Sequence, residues 1–258
     1  MKSKVLCMFV LLTFLSGTLE ARTKEKVGSA HPTDGWYAGV KGSTLFGMST
    51  FTSFGADKTR VGWSSALFGG YRFNALLSVE AFLKNGQLDL AVRKNDVNAD
   101  YWLGSESVRY FAPVIDAEGW DYSNLTSNVE FSSFGLQGNV NLLSLFSPDA
   151  SRMRVELAPA ISAVRTKAAI ATIDMKKTVI NGEAQWHLGW GAELQACYRL
   201  SRHLEMSLYG SFTHLAGNRY DGIPEHIYGS NLLGEGGVKM TWVFGNAVSK
   251  NERKTNNE

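Results

Sequence analysis

The chain has 258 residues, and its 26 Lys plus Arg nearly balance its 24 Asp plus Glu, so its formal net charge is +2. This balance argues against nucleic-acid binding, which needs a clustered basic excess, and 44% hydrophobic with 19% charged residues argues against disorder. The 14 Phe, 9 Tyr, 7 Trp and 26 Gly beside only 5 Pro are typical of a β-rich protein.

Residues 1–21 have the pattern of a secretory signal peptide. Lys2 and Lys4 precede the apolar run Val5–Leu15, and small residues follow it, so cleavage is expected after Ala21 or Thr18. An N-terminal membrane anchor is the alternative, but the run is shorter than the roughly 18 apolar residues that span a bilayer. The chain is therefore predicted to be exported.

A polar lead-in is expected over residues 22–34, before the first regular segment. No second apolar run of spanning length follows, which excludes a helical membrane protein. Cys197 is the only cysteine after the signal segment, so no disulfide framework is available. The stability of the chain must come from its fold.

Hydrophobic residues then recur at every second position, which is the period of a β-strand. In Trp186–Arg199, for example, Trp186, Leu188 and Trp190 alternate with polar or small residues. A change of parity inside the fourth stretch predicts a β-bulge near Ser132 and Ser133. The eight predicted strands are Trp36–Phe46, Val61–Phe73, Leu77–Lys84, Val129–Leu145, Met153–Ile161, Trp186–Arg199, Leu204–Phe212 and Glu235–Phe244.

The connections between these strands alternate strictly between long and short. The long ones cover residues 47–59, 85–128, 165–183 and 214–230, and the short ones cover 74–76, 147–151 and 200–202. Transmembrane barrels have short turns at one end and long loops at the other, whereas a soluble sandwich has no reason for this pattern. The prediction is an all-β fold, an eight-stranded antiparallel up-and-down transmembrane β-barrel. A soluble periplasmic barrel is the less favoured alternative.

If the apolar parity faces lipid, the other parity fills the interior with five carboxylates and six cations. A barrel of eight strands is only wide enough for its side chains to fill, and buried charges need partners. We therefore expect an interior charge network that plugs the barrel. Its members are Lys41, Arg72, Glu80, Lys84, Arg154, Glu156, Glu193, Arg199, Glu205, Glu235 and Lys239.

Aromatic residues cluster at the strand ends beside the short turns, which predicts an interface girdle. This girdle would contain Trp36, Tyr37, Tyr71, Phe73, Phe146, Tyr198, Trp242 and Phe244. The alternative is that these residues are ordinary core aromatics.

Four short motifs, Gly35–Gly42, Phe68–Asn74, Leu77–Ala81 and Gly237–Phe244, occur in the order that this topology requires. Together they resemble the outer-membrane β-barrel domain family that includes the OmpA transmembrane domain and OmpX. The resemblance covers most of residues 35–244. It implies location in the cell outer membrane of a Gram-negative bacterium after signal-peptide cleavage, among outer-membrane lipid and lipopolysaccharide.

The resemblance also implies insertion by the barrel assembly machinery, which recognises a last-strand signal ending in an aromatic residue. The corresponding residues here are Glu235, Gly237, Met240, Trp242 and Phe244. Residues 245–258 continue beyond the point where many members stop. They are expected to form a polar periplasmic tail, too short for the peptidoglycan-binding domain of OmpA.

The long connection over residues 85–128 is rich in aromatic residues, and loops on a rigid scaffold often carry recognition. Its candidate ligand contacts are Tyr101, Trp102, Tyr110, Phe111, Trp120 and Tyr122. The alternative is that part of this segment extends the flanking strands as a hairpin.

The function predicted from the sequence is a non-enzymatic outer-membrane barrel with a structural or surface-interaction role. A narrow channel or porin-like pore is the second hypothesis, and a lipid A-modifying enzyme is the third. The enzyme hypothesis is weak because Ala216 stands two residues after His214, where such barrels carry a serine. No metal, cofactor or nucleic acid is expected, since the histidines have no zinc-site spacing.

Overall fold

The structure is a computed structural model, and it describes residues 35–94, 101–106, 108–111, 118–146, 152–174, 177–217, 220–223 and 231–244. The predicted signal peptide (1–21), lead-in (22–34) and tail (245–258) lie outside the described residues. In the described part of the chain, no helix is long and apolar enough to cross a membrane.

Eight long strands close into an antiparallel barrel within these residues, which confirms the predicted fold class. In chain order the strands are β1 (Gly35–Met48), β2 (Gly62–Arg72), β3 (Leu77–Ala91), β4 (Trp102–Gly104), β5 (Arg109–Tyr110), β6 (Gly119–Asp121), β7 (Leu125–Asn141), β8 (Met153–Thr172), β9 (Thr178–Asn181), β10 (Gln185–Arg199), β11 (Leu204–Leu215) and β12 (Leu232–Val243). The barrel runs β1, β2, β3, β7, β8, β10, β11, β12 and back to β1. A short helix, Leu143–Phe146, follows β7.

The strands are tilted, as barrel closure requires. Following the paired residues once around the barrel from Arg165 leads back to Val155, ten residues earlier in β8. This stagger in eight strands corresponds to a tilt of about 40°. The short connections, the start of β1 and the end of β12 lie at one end of the barrel, here named the turn end, and the long connections lie at the other, the loop end.

On β7 the inner face of the wall is apolar near the loop end and polar near the turn end, and the outer face shows the reverse. Near the loop end, Val129 and Phe131 are buried inside and Glu130 is exposed; near the turn end, Gln137 is buried and Leu136 is exposed. The register between β3 and β7 is continuous, from Leu77 opposite Val140 to Ala91 opposite Thr126. The predicted bulge near Ser132 and Ser133 is therefore wrong. The parity change in the sequence reflects a change of surroundings, not a break in pairing.

Aromatic side chains ring the outside of the wall near the turn end, where Trp36, Trp242 and Phe244 are all more than half exposed. Tyr37 does not belong to this girdle. It is 5% exposed and lies inside the barrel, because it shares the parity of Lys41 on β1.

A second set of exposed aromatics, Trp63, Phe134 and Trp186, lies nearer the loop end. Positions 186 and 198 are twelve residues apart on β10, which at this tilt is roughly 30 Å along the barrel axis. That height fits an apolar band of about 25 Å with an aromatic girdle at each edge.

Candidate functional sites in the barrel interior and at the loop end

Ion pairs cross the middle of the barrel between four different strands. Lys41 Nζ lies 3.0 Å from Glu80 Oε1 and 3.0 Å from Glu193 Oε1, and Lys239 Nζ lies 2.6 Å from Glu80 Oε2. Lys239 Nζ is also 4.3 Å from the centroid of the Phe68 ring, a cation–π distance. Each buried charge therefore has an opposite charge beside it, which offsets the cost of removing it from water.

A second interior pair lies closer to the loop end. Lys84 Nζ is 2.6 Å from Glu235 Oε1. The other oxygen of Glu235 accepts long hydrogen bonds from Ser43 Oγ at 3.4 Å and Ser64 Oγ at 3.5 Å. Together these groups share the negative charge of the carboxylate among three donors.

Glu205 is the centre of an arginine cluster at the turn end. Arg154 donates two hydrogen bonds to its carboxylate, at 3.1 and 2.7 Å, and Arg72 Nη2 donates one at 3.2 Å. Arg199 Nε is 4.0 Å from Glu205, and Arg154 Nε is 2.8 Å from Glu156 Oε1. The bidentate contact fixes the Arg154 guanidinium in its plane.

All eleven sequence-predicted interior residues point into the barrel, and they form three neighbouring groups rather than one continuous ladder. Sequence reasoning did not single out the neutral members of the interior. Gln137 lies 3.5 Å from Lys41, and Gln195 donates to Glu156 at 2.6 Å. The inward parity of both residues was the signal that could have identified them.

Side chains fill the charged part of the interior. A cavity beside Arg154 and Glu205 has a volume of about 10 Å³, and one beside Lys84 and Glu235 has about 20 Å³. Each holds about one water molecule. Among the described residues, the interior chemistry is therefore that of paired charges in a packed lumen.

An apolar core fills the barrel at the loop end, above the charged interior. Leu90, Tyr122, Val129, Ile170 and Tyr220 are all buried within it. This loop-end core joins barrel strands to connecting segments, because Tyr122 precedes β7 and Tyr220 follows β11. The charged lumen is thus covered by apolar side chains at this end.

A small sheet, here named the cap sheet, sits on the loop-end core and consists of β5, β4 and β6 in that order. This sheet lies within the segment predicted to carry recognition. The flanking strands also enter that segment: β3 continues as far as Ala91, and β7 starts at Leu125. Of the predicted recognition residues, Trp102 and Tyr122 are buried, Tyr101, Tyr110 and Trp120 are partly exposed, and Phe111 is 68% exposed.

Cations lie over the aromatic rings at the cap sheet. The Arg109 guanidinium is 5.2 Å from the centroid of Tyr101 and 5.1 Å from that of Phe111. Lys177 Nζ lies 5.2 Å from the centroid of Trp120. Such contacts hold the rings in place and keep positive charge at their surface.

Tyr110 Oη donates a 2.5 Å hydrogen bond to Glu106 Oε1 at the exposed tip of this sheet. The hydrogen bond lowers the pKa of Glu106 below its ordinary value and raises that of Tyr110. At neutral pH the pair is therefore a carboxylate with a phenol donor, which orients the Tyr110 ring.

Asp221, buried at the loop end, was not predicted from the sequence. Its carboxylate accepts hydrogen bonds from the backbone N–H of Phe51 at 3.0 Å and of Ile223 at 3.1 Å. Its carbonyl accepts from Ser127 Oγ at 2.5 Å. A single loop aspartate carries no motif, so only the folded contacts reveal that it ties the connection after β1 to the connection after β11.

The proposed assembly-signal residues lie on both faces of the last strand. Glu235 and Gly237 face the interior, where a Cβ at Gly237 would collide with the Gly42 carbonyl oxygen. Trp242 and Phe244 are exposed on the outside, and Met240 shares their parity. The last strand therefore presents aromatic residues outward at the turn end.

His187, Glu193 and Glu205 are all buried in the barrel, but each is held by different partners. His187 Nε2 lies 2.9 Å from Thr166 Oγ1, and His187 Nδ1 lies 3.2 Å from the Ala216 carbonyl oxygen. Glu193 instead bonds Lys41, and Glu205 bonds arginines. These three side chains therefore do not share a site.

An apolar outer wall, a charged and filled interior and girdles at both edges define a transmembrane β-barrel of eight antiparallel strands. No protein-family model and no curated protein matches the chain.

Solved structures of similar outline include Neisserial surface protein A, which is 12% identical, with 85% of this chain and 100% of that one covered at a TM-score of 0.45. The attachment invasion locus protein Ail of Yersinia pestis is 10% identical, with 82% and 99% covered at a TM-score of 0.43. A major outer membrane protein from Thermus thermophilus is 8% identical, with 80% and 99% covered at a TM-score of 0.44. These similarities do not indicate a function, so the assignment to the class of transmembrane β-barrels rests on the geometry of the barrel itself.

Proposed function

We propose that the chain is an integral protein of the Gram-negative outer membrane, with the loop end outside the cell and the turn end in the periplasm. The support is the apolar outer wall, where Leu67, Leu83 and Leu208 are each at least 60% exposed. Exposing such a surface to water costs about 25 cal/mol for each Å², whereas lipid removes this cost. The predicted signal peptide, if cleaved, supplies the route of export.

At the loop end the chain acts as a surface-interaction protein, without enzymatic activity. The observation that carries this function is the cap sheet: Leu103 within it and Tyr122 just after it are buried in the loop-end core, while Phe111 is exposed and Tyr110 is partly exposed. Rigid, outward aromatic rings give contact area at low cost in conformational entropy. An external ligand is therefore expected to bind across the cap sheet.

Whole cells that display the full-length protein test this role on surfaces coated with laminin, fibronectin or heparin. F111S combined with Y110S should reduce adhesion to the probe that the parent binds by about tenfold, since one exposed and one partly exposed aromatic ring are lost. F146S is the matched control, because Phe146 is 86% exposed at the opposite end. Adhesion that is equal for parent, variant and cells without the protein would refute the recognition role.

The filled interior supports a barrel that does not conduct ions. Its charges are paired, and the cavities beside them hold about one water molecule each. Planar-bilayer recordings of the purified protein should lack single-channel steps. Reproducible steps would restore the pore hypothesis.

Insertion by the barrel assembly machinery is part of the same proposal. The outward Trp242 and Phe244 at the end of β12 suit the aromatic ending expected of a last-strand signal. W242S combined with F244S should lower the amount of heat-modifiable protein in outer-membrane fractions. Undiminished assembly of this variant would remove these two residues from the signal.

A further inference from the structure

Two exposed cationic side chains lie on the outer face of the barrel wall, just beyond the apolar band on the loop-end side. Arg165 and Lys167 are both outward residues of β8, and both side chains are exposed. Among the described residues, none forms a hydrogen bond or an ion pair with either side chain. Six cations inside the barrel, by contrast, each have a carboxylate within 4.0 Å.

The register places Arg165 beside uncharged neighbours. Ser132 of β7 is opposite it on one side, and Trp186 of β10 is opposite it on the other. Lys167 is opposite Glu130, although no ion pair joins the two within 4 Å. Arg165, which lies at the height of the aromatic edge, therefore has no carboxylate directly opposite it on either neighbouring strand.

An apolar groove of about 670 Å³ lies in the outer wall directly on the turn-end side of Arg165. Small residues, among them Gly69, Ala81 and Ala163, form the floor of the groove, and larger side chains such as Leu83 and Leu188 flank them. A second groove of about 420 Å³ adjoins it, since Leu136 and Ile161 line both. Together they run along the wall toward the turn end.

The upper edge of the groove is closed by two aromatic rings that meet across β8. The centroids of Phe134 and Trp186 are 6.2 Å apart in an edge-to-face arrangement. Ala163 of β8 is paired with Phe134 on one side and with Leu188 on the other, and its small side chain leaves room for this contact. Arg165 is the next outward residue beyond it.

We infer that this groove and the two cations form a binding site for one phosphorylated, acylated glycolipid of the lipid A type. A phosphate group binds Arg165, whose planar guanidinium can donate two parallel hydrogen bonds to it, and Lys167 adds a second charge. An acyl chain of the same molecule fills the apolar groove below. This site rests on the proposed placement of the loop end at the outer leaflet, where such lipids present their phosphates at this height.

The purified full-length protein can be tested in nanodiscs that contain bisphosphorylated or dephosphorylated lipid A, with bound lipid counted by native mass spectrometry. R165Q/K167Q should lower the retained bisphosphorylated lipid about tenfold, because charge-assisted contacts are lost. The same variant should leave retention of the dephosphorylated lipid unchanged. G69L should lower retention of both lipids, since Gly69 has room for a side chain that would occupy the groove floor.

Matched controls are available on the same molecule. K58Q removes an exposed loop cation away from the groove, and G42L adds a leucine at an exposed glycine of β1 with open space around it. Both should retain lipid A like the parent, and all variants should keep heat-modifiable gel mobility. Equal retention by parent and R165Q/K167Q would overturn the site. Absence of the protein from outer-membrane fractions would instead refute the proposed location.

Discussion

Lys239 Nζ lies 2.6 Å from Glu80 Oε2, and neither side chain is more than 4% exposed. Glu80 also bonds Lys41 through its other oxygen, so one carboxylate neutralises two ammonium groups. Because β1, β3 and β12 supply the three residues, this contact ties together strands from both sides of the seam where the barrel closes.

E80Q is expected to lower the free energy of unfolding by about 3–5 kcal/mol, because it leaves two buried cations with too little negative charge. Urea titration of the folded barrel, followed by heat-modifiable mobility, measures this change. E130Q is the matched control, since Glu130 is exposed on the outer wall and makes no ion pair among the described residues. A loss equally small in both variants would show that the interior pair does not stabilise the barrel.

Replacing both partners separates pairing from packing. E80M/K239M removes one cation together with the carboxylate and leaves Lys41 with Glu193. We expect it to be more stable than E80Q, since apolar replacement of a whole buried pair is often neutral. The same urea titration applies, and a double variant less stable than E80Q would contradict this reasoning.

The barrel was predictable from the sequence because alternation of period two marks strands whatever surrounds them. The alternation does not say which environment each face meets, so the exchange of polarity on β7 produces the same sequence pattern as a bulge near Ser132. Val129 and Phe131 are apolar because they join the loop-end core, and Phe134 is apolar because it faces outward. Tyr37 lies inside the barrel for a related reason, since its parity on β1 and not its aromatic character decides which face it joins.

The loop end was less predictable because its contacts join distant parts of the chain. The bond from Phe51 to Asp221 spans 170 residues, and neither residue belongs to a periodic segment. Composition indicated that the long connection carries aromatic residues. Only the folded cap sheet separates the buried Trp102 and Tyr122 from the exposed Phe111.

F131A is expected to cost about 3–5 kcal/mol of unfolding free energy, because it opens a cavity in the loop-end core. F134A removes the same side chain three residues later, where lipid chains can fill the space, so its cost should be about 1–2 kcal/mol smaller. Urea titrations of both variants in the same lipid make the comparison. A larger loss for F134A would reverse the assignment of the two faces.

Cysteine labelling on intact cells can locate the edge of the membrane on β7. E130C should react with a membrane-impermeant maleimide, whereas L136C, six residues nearer the turn end, should be shielded by lipid. The native Cys197 is buried, so the parent should give little background. Comparable labelling at positions 130 and 136 would place the edge elsewhere.

Asp57 should titrate with a pKa of about 2, below its ordinary value of 3.8, because Arg60 donates hydrogen bonds to both of its oxygens at 2.6 and 2.7 Å. Since the folded pKa is lowered, the stabilisation is fully present above about pH 4 and is lost as the pH falls toward 2. The carboxyl carbon chemical shift of Asp57, followed by NMR across this range, reports the titration directly. R60Q should return the midpoint toward 3.8, while K58Q, which leaves the Arg60 hydrogen bonds in place, should not. A midpoint near 3.8 in the parent would mean that this pair does not hold the first long connection in solution.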